Sequence, residues 1–286
     1  LAKRICVKAI LFALDEPACA DPRVTGLSLF QLPLYDQPAL RYPFYNLMNW
    51  GVREIVVVGP GARLMPVLRD GSDYGLNIAY LDPPSPLDLF ALLQEHHKYL
   101  ADGPVCLMSA ANFFWGPEML QLDVLSGGAK IFAQQVPGYE HYSKLEIDSQ
   151  TWRVPDWGIY ESAVLDLVGS LKSTGSISLD LELLNRHYAQ EDRLEVIRLG
   201  EEVVWCDLRD WDSWWTTCCQ MAGCEQMLGA KIACLEELAL NRGLISPAQA
   251  EALYERYRPG SYREYLKNLF ETVGIWPQQE KGLRLV

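Results

Sequence analysis

The chain has 286 residues, 49% hydrophobic and 22% charged, an ordinary globular composition that excludes disorder and fits one large α/β domain or two small ones. Its 37 acidic and 25 basic residues give a net charge of -12, which excludes general binding to nucleic acid or an anionic membrane, since both need a basic surface. No apolar run approaches the roughly 20 residues that cross a bilayer, and Leu1-Ala2-Lys3-Arg4 opens no signal-like segment, so a cytoplasmic protein is expected.

In chain order, Ile5 to Leu14 is a β-branched and apolar run that predicts a buried central strand. A polar stretch and a connector around Leu32 to Pro43 lead to a predicted helix, Pro43 to Trp50, ended by Gly51. Strands follow at Glu54 to Val58 and Leu76 to Tyr80. A long amphipathic helix is predicted over Ser85 to Leu100, opened by Ser85-Pro86, and another strand at Val105 to Met108. Shorter strands are predicted at Lys130–Gln135, Lys144–Ile147 and Gly158–Tyr160, then a helix over Leu179–Tyr188 and strands at Leu194–Leu199 and Val203–Cys206. Helices over Ser213–Gly229, Cys234–Arg242, Pro247–Glu255 and Ser261–Phe270 complete the chain. The alternation predicts an α/β sheet covered by helices on both faces, with residues 1–212 forming the α/β part and 213–286 a helical lobe of the same domain.

Eight cysteines fit a reducing compartment, because a chain this long builds a core without disulfides. Cys218, Cys219, Cys224 and Cys234 crowd together without the spacing of metal knuckles. They are expected as buried small apolar residues on helices, and no cysteine has a His or Lys partner that would make it a nucleophile.

One local motif suggests phosphate. Gly59, Gly61 and Arg63 follow the strand Ile55–Val58, where glycine N–H groups and a cation can cradle an anion. Pro60 removes a donor, and the alternative is a tight strand-to-helix turn. Adjacent His96 and His97 project about 100° apart on a helix and belong to a solvated face, and His141 and His187 stand alone. Asp207, Asp210 and Asp212 follow a strand, where carboxylates hold Mg²⁺ or line a solvated loop. Trp205, Trp211, Trp214 and Trp215 are expected to pack the lobe junction or a subunit interface.

Longer patterns say more. Leu32-Pro33-Leu34-Tyr35-Asp36-Gln37-Pro38, Tyr42-Pro43, Gly51-Val52-Arg53-Glu54-Ile55, Asp70-Gly71-Ser72 with Tyr74-Gly75-Leu76-Asn77, Pro84-Ser85-Pro86, Asn112-Phe113-Phe114-Trp115-Gly116, Trp205 with Asp207, and Lys231 to Ala239 with Arg242-Gly243 occur in order. Together they resemble the bacterial glucose-1-phosphate thymidylyltransferases over nearly the whole chain. The resemblance implies a Rossmann-like mixed sheet of the nucleotide-diphospho-sugar transferase kind.

It also implies a catalytic signature that this chain has lost. The family's G-G-x-G-T-R-L-x-P loop holds nucleotide phosphates. Counted without a gap, its glycines fall on Leu14, Asp15 and Pro17, its Thr–Arg pair on Ala18 and Cys19, and a phosphate-contacting lysine on Leu29. An Asp where triphosphate should lie repels it. The family's first Mg²⁺ carboxylate falls on Ala111, leaving Asp207 as the single metal candidate. The base-reading Gln falls on Pro83 and a helix-opening Gly on Asp88. The sugar-binding E-E-K-P has no counterpart, and Tyr142 keeps its family identity beside Ser143 in place of Gly.

Loss of phosphate, metal, base and sugar contacts together, with the scaffold retained, predicts a pseudoenzyme with a binding, assembly or regulatory role. No cofactor is expected, with Mg²⁺ only if the chain is active. Tyr142, Asp207 and Arg209 are the vestigial cleft candidates. In the resembling family the C-terminal helices build subunit contacts and an allosteric nucleotide pocket, and Glu236-Glu237-Leu238 falls on part of that region. A homo-oligomer is therefore expected, with pairing to an active paralogue or another protein as an alternative. Two other readings stay open: an enzyme with a remodelled site using Asp207, Asp210 and Arg209, and a structural subunit of a sugar-modifying complex.

Overall fold

The structure, a computed structural model, describes residues 7–14, 28–83, 87–116, 125, 127–135, 142–147, 149–208 and 211–276. β1 (Lys8–Phe12) is buried at every position, as its uninterrupted apolar run requires. A two-residue hairpin, β2 (Pro33–Leu34) and β3 (Gln37–Pro38), leads into α1 (Arg41–Asn49), after which Gly51 takes φ +89°. β4 (Glu54–Val58), α2 (Gly61–Leu68) and β5 (Asn77–Leu81) follow.

The helix predicted over Ser85–Leu100 is two pieces, α3 (Leu89–Glu95) and α4 (His97–Leu100). They part at His96, which leaves helical geometry at φ -95°, ψ 12°, with its Nδ1 3.0 Å from the Leu92 carbonyl. Asp88 caps α3 by accepting from the Ala91 N–H at 2.9 Å, the task that suits a short carboxylate at this position. The Ser85-Pro86 start lies outside the described residues.

β6 (Val105–Ser109), β7 (Asn112–Trp115), β8 (Ala129–Gln134), β9 (Ser143–Ile147), β10 (Gln150–Val154) and β11 (Trp157–Tyr160) continue the chain. Of these, β7 and β10 were not expected. After α5 (Val164–Leu167) and α6 (Ile177–Gln190) come β12 (Leu194–Leu199) and β13 (Val204–Asp207), then the lobe helices α7 (Trp211–Leu228), α8 (Leu235–Asn241), α9 (Pro247–Tyr254) and α10 (Ser261–Thr272).

The main sheet is mixed. β1 pairs in parallel with β4 and β6, and β4 with β5. β11 pairs antiparallel with β6 and β8, while β8 pairs in parallel with β12 and meets β10, which carries β9. Alternation along β1 divides the core into two layers. Ala9 and Leu11 join a cluster with Leu47, Leu235 and Phe270, whereas Ile10 and Phe12 face Leu89, Leu93 and Leu184.

The lobe is tied to the sheet domain by a buried polar knot. The Arg41 Nη2 donates to both carboxylate oxygens of Glu236, at 2.8 and 2.9 Å, its Nη1 to the Tyr74 hydroxyl at 2.8 Å, and its Nε to Gln37 Oε1 at 2.7 Å. The hydroxyls of Tyr74, Tyr257 and Tyr262 donate to the same carboxylate at 3.1, 2.5 and 2.6 Å. A charge this deep survives only when its lone pairs and protons are satisfied, and here both partners are.

The cysteine expectation needs correcting. Cys234 is buried, but Cys218 and Cys224 are half-buried and Cys219 is exposed. The reason is that α7 separates its faces only weakly: Trp215, Cys219, Met227 and Leu228 are exposed on it beside Thr216, Gln220 and Gln226.

Candidate functional site

The carboxyl ends of β1, β4 and β6 lie side by side, which is where open α/β sheets place their ligands. From β6 the chain turns through Ala110 and Ala111 into β7, and β7 pairs antiparallel with β13 so that Asn112 stands opposite Asp207. The Ala110 N–H donates to the Phe12 carbonyl at 2.8 Å, and the Leu208 N–H to the Ala111 carbonyl at 2.9 Å. These bonds fix the turn at which the resemblance implies a metal carboxylate. Ala110 and Ala111 are both buried.

Asn112 is the hub of this corner. Its Oδ1 accepts from the Tyr142 hydroxyl at 2.5 Å and from the Trp205 indole N–H at 2.8 Å, and the two rings pack with centroids 4.5 Å apart. All four side chains, Asn112, Tyr142, Trp205 and Asp207, are buried. The structure thus brings Tyr142 and Asp207 to one corner, with the Tyr142 hydroxyl engaged by a neighbour. The Asn112 Nδ2 has no hydrogen-bond partner among the described residues. No local spacing announces this hub, because Tyr142 and Trp205 lie 30 and 93 positions from Asn112.

Nearby, the buried Asp156 accepts from the Ser178 hydroxyl at 2.7 Å, and its carbonyl accepts from the Ser109 N–H at 2.8 Å. Asp156 therefore braces the end of β6 from α6, a contact the sequence reading missed.

The donor set does not suit the Mg²⁺ that the fold family implies. A methyl group occupies the Ala111 position, and Asp207 supplies one carboxylate where hard divalent cations want several oxygens. Among the described residues no three His, Cys, Asp or Glu side chains group to hold a metal ion.

The remaining candidates are spread out. Leu14 is half-buried at the end of β1 and packs with the layer around Leu89. Leu29, where the family lysine would fall, is buried against Leu34, Ala39 and Tyr42. Asp15, Pro17, Cys19 and Arg209 lie outside the described residues.

At the glycine motif, the Gly61 N–H donates to Asp82 Oδ1 at 2.9 Å and the Gly59 N–H to the Leu81 carbonyl at 3.0 Å. A carboxylate of the protein itself thus sits where an anion would bind the start of α2. Gly59 is needed for a different reason: a Cβ there would lie 2.4 Å from the Ala13 carbonyl oxygen. Arg63 is exposed.

The buried thiols are poor nucleophiles, since burial pushes Cys106 and Cys206 up to about 12. At the lobe junction, the Lys231 ammonium bonds Asp36 and, at 2.6 Å, Glu225. A cavity of 440 Å³ adjoins it, walled mainly by Tyr42, Phe113, Trp115, Cys224, Met227 and Leu228.

No family model matches the chain. Its fold is that of the sugar nucleotidyltransferases. A Bacillus anthracis protein described as a glucose-1-phosphate thymidylyltransferase, solved with sucrose, superposes with a TM-score of 0.64 at 16% identity, covering 75% of this chain and 95% of that one. The T. maritima inositol-1-phosphate CTP transferase gives 0.57 at 17% identity, over 74% and 95%. In sequence the chain resembles glucose-1-phosphate thymidylyltransferases from end to end. That of Neisseria meningitidis serogroup A is 28% identical over 93% of this chain and 100% of its own length. That of Actinoplanes sp. is 26% identical over 91% and 93%. The chain is thus similar to these enzymes over nearly its whole length.

Proposed function

We propose that this chain is a pseudoenzyme: a sugar nucleotidyltransferase scaffold that acts by binding or assembly rather than by nucleotidyl transfer. The observation that carries the reading is the corner at Ala111, where a buried methyl stands in place of the metal carboxylate and, of the two metal positions, Asp207 alone is an acid. Phosphoryl transfer depends almost wholly on positioning and on electrostatic stabilisation of developing charge. A site with half its metal carboxylates, and with Asp15 in place of a phosphate-cradling glycine, lacks both. Incubation with dTTP, glucose 1-phosphate and Mg²⁺ is expected to release no pyrophosphate above a protein-free blank. Calorimetric titration with dTTP and Mg²⁺ is expected to give no micromolar binding. Metal-dependent turnover would return the chain to the active enzymes with a remodelled site.

The binding or assembly role is assigned to the lobe, where the chain works as a homo-oligomer in the cytoplasm. Support comes from the far end of α7, where Met227 is 88% and Leu228 68% exposed beside the 440 Å³ apolar cavity. Large apolar side chains concentrated on one surface mark contact sites. Light scattering of the purified chain is expected to give a mass above one protomer.

A further inference from the structure

The other end of α7 carries a second surface of different character. Tyr35, Trp211 and Trp215 are 41%, 37% and 71% exposed, and they meet in a groove of 520 Å³. Trp214 forms a buried wall, inclined 55° to Trp211 with ring centroids 5.9 Å apart, and Cys218 and Cys219 lie along the same side. One wall of the groove is the turn of the β2–β3 hairpin, tied to α7. Tyr35 takes φ +63° at the first position of that turn, and its N–H donates to the Cys218 Sγ at 3.3 Å.

Among the described residues the lining holds no charged side chain, so these walls offer an anionic ligand no partner. What it offers is the faces of aromatic rings, which carry the negative lobe of the ring quadrupole and attract cations. Tyr35 already accepts one: the Lys231 ammonium lies 5.2 Å from its ring centroid. Behind the groove the charge balance is also negative. Lys231 is shared by two carboxylates, Asp36 and Glu225, and the Asp36 Oδ1 is buried without a hydrogen-bond partner among the described residues. The whole chain adds a net charge of -12. A small hydrated cation gains little here, because no cluster of oxygen ligands replaces its water. A cation that is itself apolar and weakly hydrated fits both the walls and the field.

We propose that this groove binds a quaternary ammonium group, carried by a small soluble molecule of the choline class. The site is independent of the corner at Ala111 and does not require the pseudoenzyme reading.

The test is a tryptophan-fluorescence titration of the full chain with choline, and in parallel with its uncharged carbon isostere, 3,3-dimethylbutan-1-ol. Choline is expected to give a saturable change, with the isostere binding about tenfold more weakly, the scale of a partly desolvated cation–π contact. Trp215→Ala, at an exposed position that leaves the fold intact, is expected to weaken choline by a similar factor, while Trp215→Phe keeps most of it. Equal binding of choline and isostere would overturn the proposal in favour of a plain apolar site. Absence of saturation with choline would also overturn it. So would co-sedimentation with phosphatidylcholine vesicles without binding of free choline, which would assign the groove to a membrane headgroup. A rise in sedimenting mass that Trp215→Ala abolishes and choline leaves unchanged would assign the groove to a second copy.

Discussion

Glu236 shows how much can rest on one carboxylate. Burial alone would favour its neutral form, but Arg41 and the hydroxyls of Tyr257 and Tyr262 outweigh it and hold its pKa below the ordinary 4.5. The sign follows. A carboxylate whose folded pKa is depressed contributes stability above its unfolded value, and that contribution is lost as pH falls through the folded value. Denaturant unfolding is therefore expected to show a loss of stability below pH 4.5 that the Glu236→Gln variant lacks. At neutral pH, Glu236→Gln leaves Arg41 buried and uncompensated and should cost about 3–5 kcal/mol. Replacing both partners with apolar residues, Arg41→Met with Glu236→Leu, should cost less than the single change. If the double variant is the weaker one, the knot contributes through its hydroxyl network and not through the charge balance. Burial also pushes Tyr74 up to about 12, which keeps its hydroxyl protonated and able to donate.

At the scale of elements, α7 is the outlier. Its 18 residues carry two carboxylates and no basic side chain: Asp212, and Glu225, which is buried and bonded to Lys231. A solvent-facing helix normally alternates charge along its outer face. Depletion of charge with exposed large apolar groups is instead the composition of an interface core. Met227→Glu places a charge where another protomer would pack. It is expected to lower the mass found by light scattering while thermal stability changes by under about 0.5 kcal/mol, the usual surface effect. An unchanged mass would remove α7 from the assembly. Legibility in the sequence followed the same logic of periodicity. β1, β4, α1 and α6 were readable because apolar period and turn residues agreed. The break at His96 was not, since it depends on a local ring-to-carbonyl contact. β10 escaped because two of its five residues are exposed and they stand together instead of alternating, so its place depends on pairing with β9 rather than on its own pattern. The site was legible only through long motifs. The Asn112 hub joins residues from three distant segments, and no local spacing encodes such a meeting.

For the whole molecule, the question is whether the lobe is an appendage or part of the fold. One continuous apolar cluster contains Leu11, Ile55 and Val57 from the sheet and Leu235, Ile245, Leu253, Leu266 and Phe270 from the lobe. Full burial of each such side chain contributes about 1.5–3 kcal/mol. Five of them amount to roughly 7–15 kcal/mol, as much as the entire stability of a typical domain. The Arg41–Glu236 knot crosses the same boundary, so separating the lobe also strands a buried charge on the sheet side. Residues 1–212 alone should therefore fail to fold, and the intact chain should unfold in one calorimetric transition whose van't Hoff and calorimetric enthalpies agree. Two resolved transitions, or a soluble and cooperatively folded fragment ending at residue 212, would show that the lobe is energetically separate. In that case its retention would need a reason outside the fold. With a single transition, the lobe is required by the sheet itself, and its persistence follows from stability before any catalytic role or partner is invoked.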